Sequence, residues 1–186
     1  MTADHKGRRR PLIGVMGEGA EASTDCIELA EALGAAIATR GWALLTGGRP
    51  VGVMAAASRG AHRVEGHLVV GVLPGAGDES DRHDIADLDL ALFTGIGQAR
   101  NVVNVLSADV VVVCGAAGAG TASEAAHAIK AHRPLILLAV GPLWQQFFGS
   151  LSSDVVSVDS VADCCDRIAA RLLTPPAPAP PTPLAR

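Results

Sequence analysis

The sequence predicts one α/β domain, an open parallel sheet with helices on both faces. Three observations carry the prediction. Short apolar runs alternate with alanine-rich segments of helical length along most of the chain. The runs are continuous, not alternating, as in strands buried on both faces. Clusters of glycine follow several runs, where strand passes into helix. Strand and helix repeated in this way imply right-handed crossovers and a parallel sheet.

In chain order, the strand candidates are "LIGVM" (12–16), "WALLT" (42–46), "LVVGVL" (68–73), "VVVVC" (110–114), "PLILL" (134–138) and "DVVSV" (154–158). The helix candidates are "TDCIELAEALGAAIATR" (24–40), "VGVMAAASRGAH" (51–62), "QARNVVNVLS" (98–107), "TASEAAHAIKAH" (121–132) and "VADCCDRIAARLL" (161–173). Residues 11–173 form the expected domain. The charged segment 1–10 is expected to be disordered and is followed by no apolar stretch of signal-peptide length. "TPPAPAPPTPLAR" (174–186) is proline-rich, cannot supply ladder donors and is expected to be an extended tail. No run approaches the ~20 apolar residues of a membrane span, so no membrane partner is expected.

Composition narrows the function classes. With 186 residues, 49% of them hydrophobic and 18% charged, the chain can bury one sizeable core. A net charge of −4 leaves no basic footprint, and 3% aromatics leave no stacking platform, so nucleic acid is not an expected partner. Cys26, Cys114, Cys164 and Cys165 include no C-x-x-C pair and read as inert thiols of a reducing cytoplasm. His62, His67, His83, His127 and His132 show no ligand spacing, and no metal site is expected. The Asp-rich stretch 75–89 lacks calcium-loop spacing and reads as a solvated loop placed to act as a lid.

Ligands of open parallel sheets bind beyond the carboxyl ends of the strands, where strand order reverses. The glycines cluster in those loops: Gly17 and Gly19 after the first strand, Gly47, Gly48 and Arg49 after the second, Thr94, Gly95 and Gly97 before the third helix, and Gly118, Ala119, Gly120 and Thr121 after the fourth strand. Glycine lets backbone amides approach a ligand, and a helix N-terminus adds about half a positive charge. Several such termini at one rim make a phosphate site. Gly17-x-Gly19-x-x-Ala22 fits the dinucleotide fingerprint loosely, but Thr46-Gly47-Gly48 stands where its ribose-binding acid is needed, which disfavours NAD. No Walker sequence occurs.

The stretches "PLIGVMGEG", "ALLTGGRPVGVMAAASRGA", "VVGVLPG", "TGIGQARNVVNVLSADVVVVCG" and "GAGTASEAAHAIKAHRPLILL" together resemble the family of the Lonely Guy phosphoribohydrolases, SLOG-type Rossmann-like proteins long labelled lysine decarboxylases. Within that family the nearest branch is that of the molybdenum cofactor carrier proteins. The resemblance runs from about 11 to 173. The hydrolase signature Pro-Gly-Gly-x-Gly-Thr-x-x-Glu falls on Ala116, Ala117, Gly118, Ala119, Gly120, Thr121 and Glu124, so the Pro-Gly is lost while the second half stands. The hydrolases' Arg-Lys pair is here Arg100-Asn101. Decarboxylation by pyridoxal phosphate needs a Schiff-base lysine. Only Lys6, in the N-terminal segment, and Lys130, far along its helix, are present.

Two functions follow. In the first, the loops hold a phosphate-bearing small molecule as a carrier would, either a nucleotide or the pterin phosphate of molybdenum cofactor. In the second, which the resemblance implies, Arg100 and Glu124 are a catalytic pair cleaving the N-glycosidic bond of a nucleoside 5′-monophosphate. No second carboxylate is apparent beside Glu124 unless Asp84 serves, and glycosidic cleavage usually uses two. The departures at 116–117 and 101 favour the carrier. Local roles compete with both. Thr121 and Glu124 form a capping box by spacing, Thr94 reads as an N-cap, and Met16 and Met54 read as core. Arg100 in a first helical turn opposes the helix dipole and calls for an anion, either Glu124 or phosphate. The resemblance also implies a homo-oligomer, a dimer or a tetramer; Gly34 and Gly60 in the alanine-rich helices suit close packing between subunits and equally helix-on-sheet contacts.

Overall fold

The computed structural model describes residues 9–79, 85, 87–115 and 118–173. The expected tails 1–8 and 174–186, together with His83, Asp84, Ala116 and Ala117, lie outside the described residues. The described chain is Rossmann-like: β1 (Leu12–Gly17), α1 (Thr24–Thr39), β2 (Ala43–Thr46), α2 (Gly52–His62), β3 (Val69–Leu73), β4 (Leu90–Phe93), α3 (Arg100–Ser107), β5 (Val110–Cys114), α4 (Ala119–Lys130), β6 (Leu135–Leu138), α5 (Pro142–Leu151), β7 (Val156–Val158) and α6 (Val161–Leu173). A 3-10 turn, Gly97–Ala99, leads into α3. The strands form one sheet of order β4-β3-β2-β1-β5-β6-β7, and every described pairing is parallel.

Alternate residues of each inner strand enter opposite layers. Ile13, Val15, Val110, Val112, Ile136 and Leu138 pack with α1, α2 and α6, through residues such as Leu33, Ile37, Ala57 and Ile168. Met16, Val111, Val113, Leu135 and Leu137 pack on the other face with Val105 of α3, Ala125 and Ala128 of α4, and Phe148 of α5. Burial on both faces is why these strands read as unbroken apolar runs.

Two elements lie outside the expected set. The edge strand β4 has an alternating exposure pattern, with Leu90 and Leu92 exposed. Helix α5 opens with Pro at its first turn, where the missing N–H costs nothing.

Gly34 and Gly60 belong to the contact between α1 and α2. A Cβ on Gly34 would strike the Ala57 carbonyl, and one on Gly60 the Glu31 carbonyl. The two helices therefore touch backbone to backbone within the chain.

The chain reverses its direction of travel across the sheet between β1 and β5, adjacent in space but separated by three strands in sequence. The loops after these two strands consequently diverge and leave a crevice at the carboxyl rim.

Candidate functional site

A cavity of about 420 Å³ occupies that crevice. Its walls come from the loop Gly17–Glu21 after β1, from Gly47 and Arg49 after β2, from Gln98, Arg100 and Asn101 where α3 begins, and from Gly118, Gly120, Thr121 and Glu124 of α4. Met16 and Met54 complete the lining. The volume lies within the roughly 300–1,000 Å³ of small-molecule sites.

Helix α4 starts at Ala119 with Gly118 as its N-cap and has no side-chain cap bond among the described residues. This overturns the capping box. Thr121 is the third helical residue, and its hydroxyl donates to the Gly17 carbonyl at 3.1 Å, tying the end of β1 to α4. The first amides of any α-helix lack intrahelical acceptors. In α4 the start of the helix borders the cavity through Gly118, Gly120 and Thr121.

Glu124, one turn further, is buried and points at α3. Its Oε1 accepts from Asn104 Nδ2 at 3.2 Å and lies 3.5 Å from an Arg100 guanidinium nitrogen. Arg100 and Asn104 are four apart on α3 and so share one face. Arg100 is 7% exposed, and its guanidinium lies against Gly47, where a Cβ would come 2.8 Å from Cζ. Any side chain at 47 would displace the arginine.

Burial raises the Glu124 carboxyl above the ordinary glutamate range, opposed by the Asn104 hydrogen bond and the Arg100 charge. Burial likewise lowers Arg100, with Glu124 opposing and Arg49 reinforcing the shift. Arginine remains protonated at neutral pH all the same. Arg100 Nε, Asn101 Oδ1 and Asn104 Oδ1 are buried without a hydrogen-bond partner among the described residues. Buried polar atoms are normally satisfied; Arg100 and Asn101 line the cavity, whereas Asn104 does not.

The sequence model of the SLOG cluster4 family matches residues 10–165. The chain belongs to that family. Among solved structures, this SLOG protein is similar to the molybdenum cofactor binding protein of Rippkaea orientalis, with 45% identity, a TM-score of 0.83, and coverage of 89% of this chain and 99% of that one. It is also similar to the molybdenum cofactor carrier protein of Chlamydomonas reinhardtii, with 40% identity, a TM-score of 0.82, and coverage of 89% and 100%. A cytokinin riboside 5′-monophosphate phosphoribohydrolase of Mycobacterium marinum is 43% identical over 74 residues, which span 40% of this chain and 39% of that protein.

Of the residues named from the sequence, Gly17, Gly19, Gly47, Arg49, Arg100, Gly118, Gly120, Thr121 and Glu124 all line the cavity of the SLOG protein. Gly48, Thr94, Gly95, Gly97 and Ala119 are not in its lining. The Gly48 amide donates to Thr46 Oγ1 at 3.1 Å. The Gly95 and Gly97 amides donate to the Gly75 and Pro74 carbonyls at 2.8 and 3.1 Å. Thr94 Oγ1 donates to the Leu73 carbonyl at 2.7 Å, so Thr94 ties β4 to β3 instead of capping a helix. These loops serve to join the edge strand to its neighbour.

Other residues enter the SLOG site without having been named for it. Glu18 and Glu21 line the cavity that holds Glu124. Asp84, the carboxylate considered from sequence, lies outside the described residues. Asn104 had a visible signal: "RNVVN" places polar side chains three and four apart on a helix beside a buried strand, a pattern of a polar face turned inward. Met16 and Met54 are buried as expected and also touch the cavity.

Proposed function

We propose that this SLOG protein holds a phosphate-bearing heterocycle as cargo, with molybdenum cofactor favoured over a simple nucleotide. One observation carries the reading: the buried guanidinium of Arg100 lines the cavity beside the start of α4, a helix with no side-chain cap bond among the described residues. A phosphate would supply acceptors to Arg100 and to the amides of 119–121, and would gain from the helix dipole. Gly118, Gly120 and Gly47 keep the space for it free of side chains. Glu18 and Glu21, on the wall formed by the β1–α1 loop, would accept from the N–H groups of the heterocycle. The bound cofactor would bring redox-active molybdenum; the chain would supply binding and burial. Similarity to two molybdenum cofactor proteins over nearly their full length supports the choice of cargo.

A second reading has its own support. Glu124 is held protonation-prone by burial, Arg100 lies beside it, and Glu18 and Glu21 on the cavity wall would supply the second carboxylate that glycosidic cleavage usually uses. That arrangement would suit N-glycosidic cleavage of a nucleoside 5′-monophosphate. Against it stand the tie of Glu124 to Asn104 and the loss of the hydrolase Lys and Pro-Gly at 101 and 116–117.

The purified protein is to be incubated with a panel of nucleoside 5′-monophosphates and assayed for free base. Protein made in molybdate-supplemented cells is to be denatured and its released pterin measured by fluorescence. Carriage predicts released pterin and no base. Base release that vanishes in Glu124→Ala would replace the carrier with the hydrolase.

We also propose self-association and residence in a reducing cytoplasm. Leu143 and Phe147 of α5 are 76% and 55% exposed and, with Ala122, Trp144 and Phe148, line an apolar groove between α4 and α5. All four cysteines are free and buried, and burial pushes the Cys164 thiol up to about 12. Raised thiols such as those of Cys114, Cys164 and Cys165 are poor nucleophiles, while the hydrogen bond with Cys114 lowers Cys26. Among the described residues no helix is long and apolar enough to cross a membrane.

A further inference from the structure

At the opposite rim of the sheet, three side chains distant in sequence converge. His62 ends α2, His67 lies two residues before β3, and Asp89 lies one residue before β4. His67 Nε2 is 3.6 Å and His62 Nε2 4.0 Å from Asp89 Oδ1. One donor atom from each of the three residues lies within 4.8 Å of the others. The histidines carry no ligand spacing along the chain, but the fold brings two of them beside Asp89.

Each group is oriented from behind. His62 Nδ1 is 3.0 Å from the Ser58 carbonyl, and His67 Nδ1 is 2.7 Å from the Val64 carbonyl. A carbonyl only accepts, so Nδ1 carries the hydrogen in both rings, and a neutral imidazole then presents a lone pair at Nε2. Asp89 Oδ2 accepts from the Val69 amide at 2.7 Å, which leaves Oδ1 toward the two rings. Three donor atoms thus lie close together, the two rings in tilted contact with centroids 4.2 Å apart, and a shared cation removes the repulsion of their lone pairs.

We propose that His62, His67 and Asp89 bind one divalent transition-metal cation of the zinc type through the two Nε2 atoms and Oδ1. Imidazole and carboxylate are suitable donors for such a cation, and ring nitrogens braced by backbone carbonyls are the usual outer support of a histidine metal site. Tetrahedral donors around zinc sit about 3.3 Å apart, so the two nitrogen-to-carboxylate gaps close by less than about 1 Å. The side chains are 21–35% exposed, which leaves room for that movement and for a water as the fourth ligand. The ion would join α2, β3 and the edge strand β4 at their ends. The site shares no residue with the cavity and stands independently of the proposed cargo.

The test uses tag-free protein stripped with a chelator and titrated with Co(II), then Zn(II). One equivalent of Co(II) per chain is expected, with visible bands of nitrogen and oxygen ligation and no thiolate charge-transfer band. His62→Ala and His67→Ala should each weaken binding on the order of 100-fold or more. His127→Ala, on α4, should bind as the parent does. Zn(II) should raise the Tm of the parent but not of Asp89→Asn, while the metal-free variants melt near the metal-free parent. No stoichiometric binding, a thiolate band, or affinity retained in both histidine variants overturns the proposal.

Discussion

Arg100 and Glu124 are each buried by the same packing that makes their charges costly, and each relieves the other at 3.5 Å. Removing one partner of a buried pair usually destabilises by about 3–5 kcal/mol, because the survivor keeps its desolvation penalty. Arg100→Ala should fall toward the low end of that range, since Glu124 can take up a proton. Urea unfolding at pH 5 and pH 8 should show the loss growing with pH. Arg100→Ala combined with Glu124→Gln should recover much of it. The sign follows from the raised carboxyl. A folded-state pKa above the unfolded value of 4.5 contributes stability that is full below 4.5 and lost as pH rises through the folded value. Glu124→Gln alone should therefore flatten the stability profile on the alkaline side of 4.5. Asp109 has the opposite sign. Burial alone would raise it, but the hydrogen bonds from Arg9 and the Leu12 amide, with the charges of Arg9 and Arg133, bring it below the ordinary range. Its contribution is present above 3.8 and lost as pH falls through the lowered value. Asp109→Asn should cost about 1 kcal/mol at neutral pH and reduce acid lability, measured by thermal melts between pH 3 and 7.

Among the elements, the contact of α1 with α2 is the most exacting. Alanine in place of Gly34 or Gly60 gains about 1 kcal/mol of helix propensity but meets a backbone carbonyl that cannot rotate away. Overpacking of this kind costs about 1–3 kcal/mol. Gly34→Ala should thus lower Tm despite its better propensity, as a differential scan can measure. Gly52 is constrained further, with φ at +56° and the Glu18 and Gly19 carbonyls where a Cβ would sit. The inner strands and five of the helices were legible because their apolar runs and 3.6-residue periods follow directly from burial. Strand β4 was not, because an edge strand exposes one face and "LDLALF" looks like the end of an acidic loop. Helix α5 carried a usable signal in Leu143, Trp144, Phe147, Phe148 and Leu151, though only Phe148 is buried, so the pattern serves an exposed face as much as the core. Helix α4 begins two residues before Thr121, at Ala119, and the Thr121 hydroxyl is taken by the Gly17 carbonyl instead of capping the helix.

For the molecule as a whole, the exposed aromatic face of α5 is the feature a monomer has least reason to keep. Phe147→Glu should reduce the mass seen by light scattering to that of one chain while leaving the far-ultraviolet spectrum unchanged. An unchanged mass would remove α5 from the interface. A parallel sheet with helices on both faces could be read from the chain, since continuous apolar runs and glycine placement are local consequences of burial and turn geometry; the order of the strands could not. Which glycine loops reach the cavity could not. The amides of Gly95 and Gly97 have the same chemistry as those of 119–121, and only the pairing of β4 with β3 consumes them. Likewise, nothing in the spacing of His62, His67 and Asp89 brings them together. A parallel sheet aligns the starts of strands far apart in sequence, and that alignment exists only once the crossovers have formed.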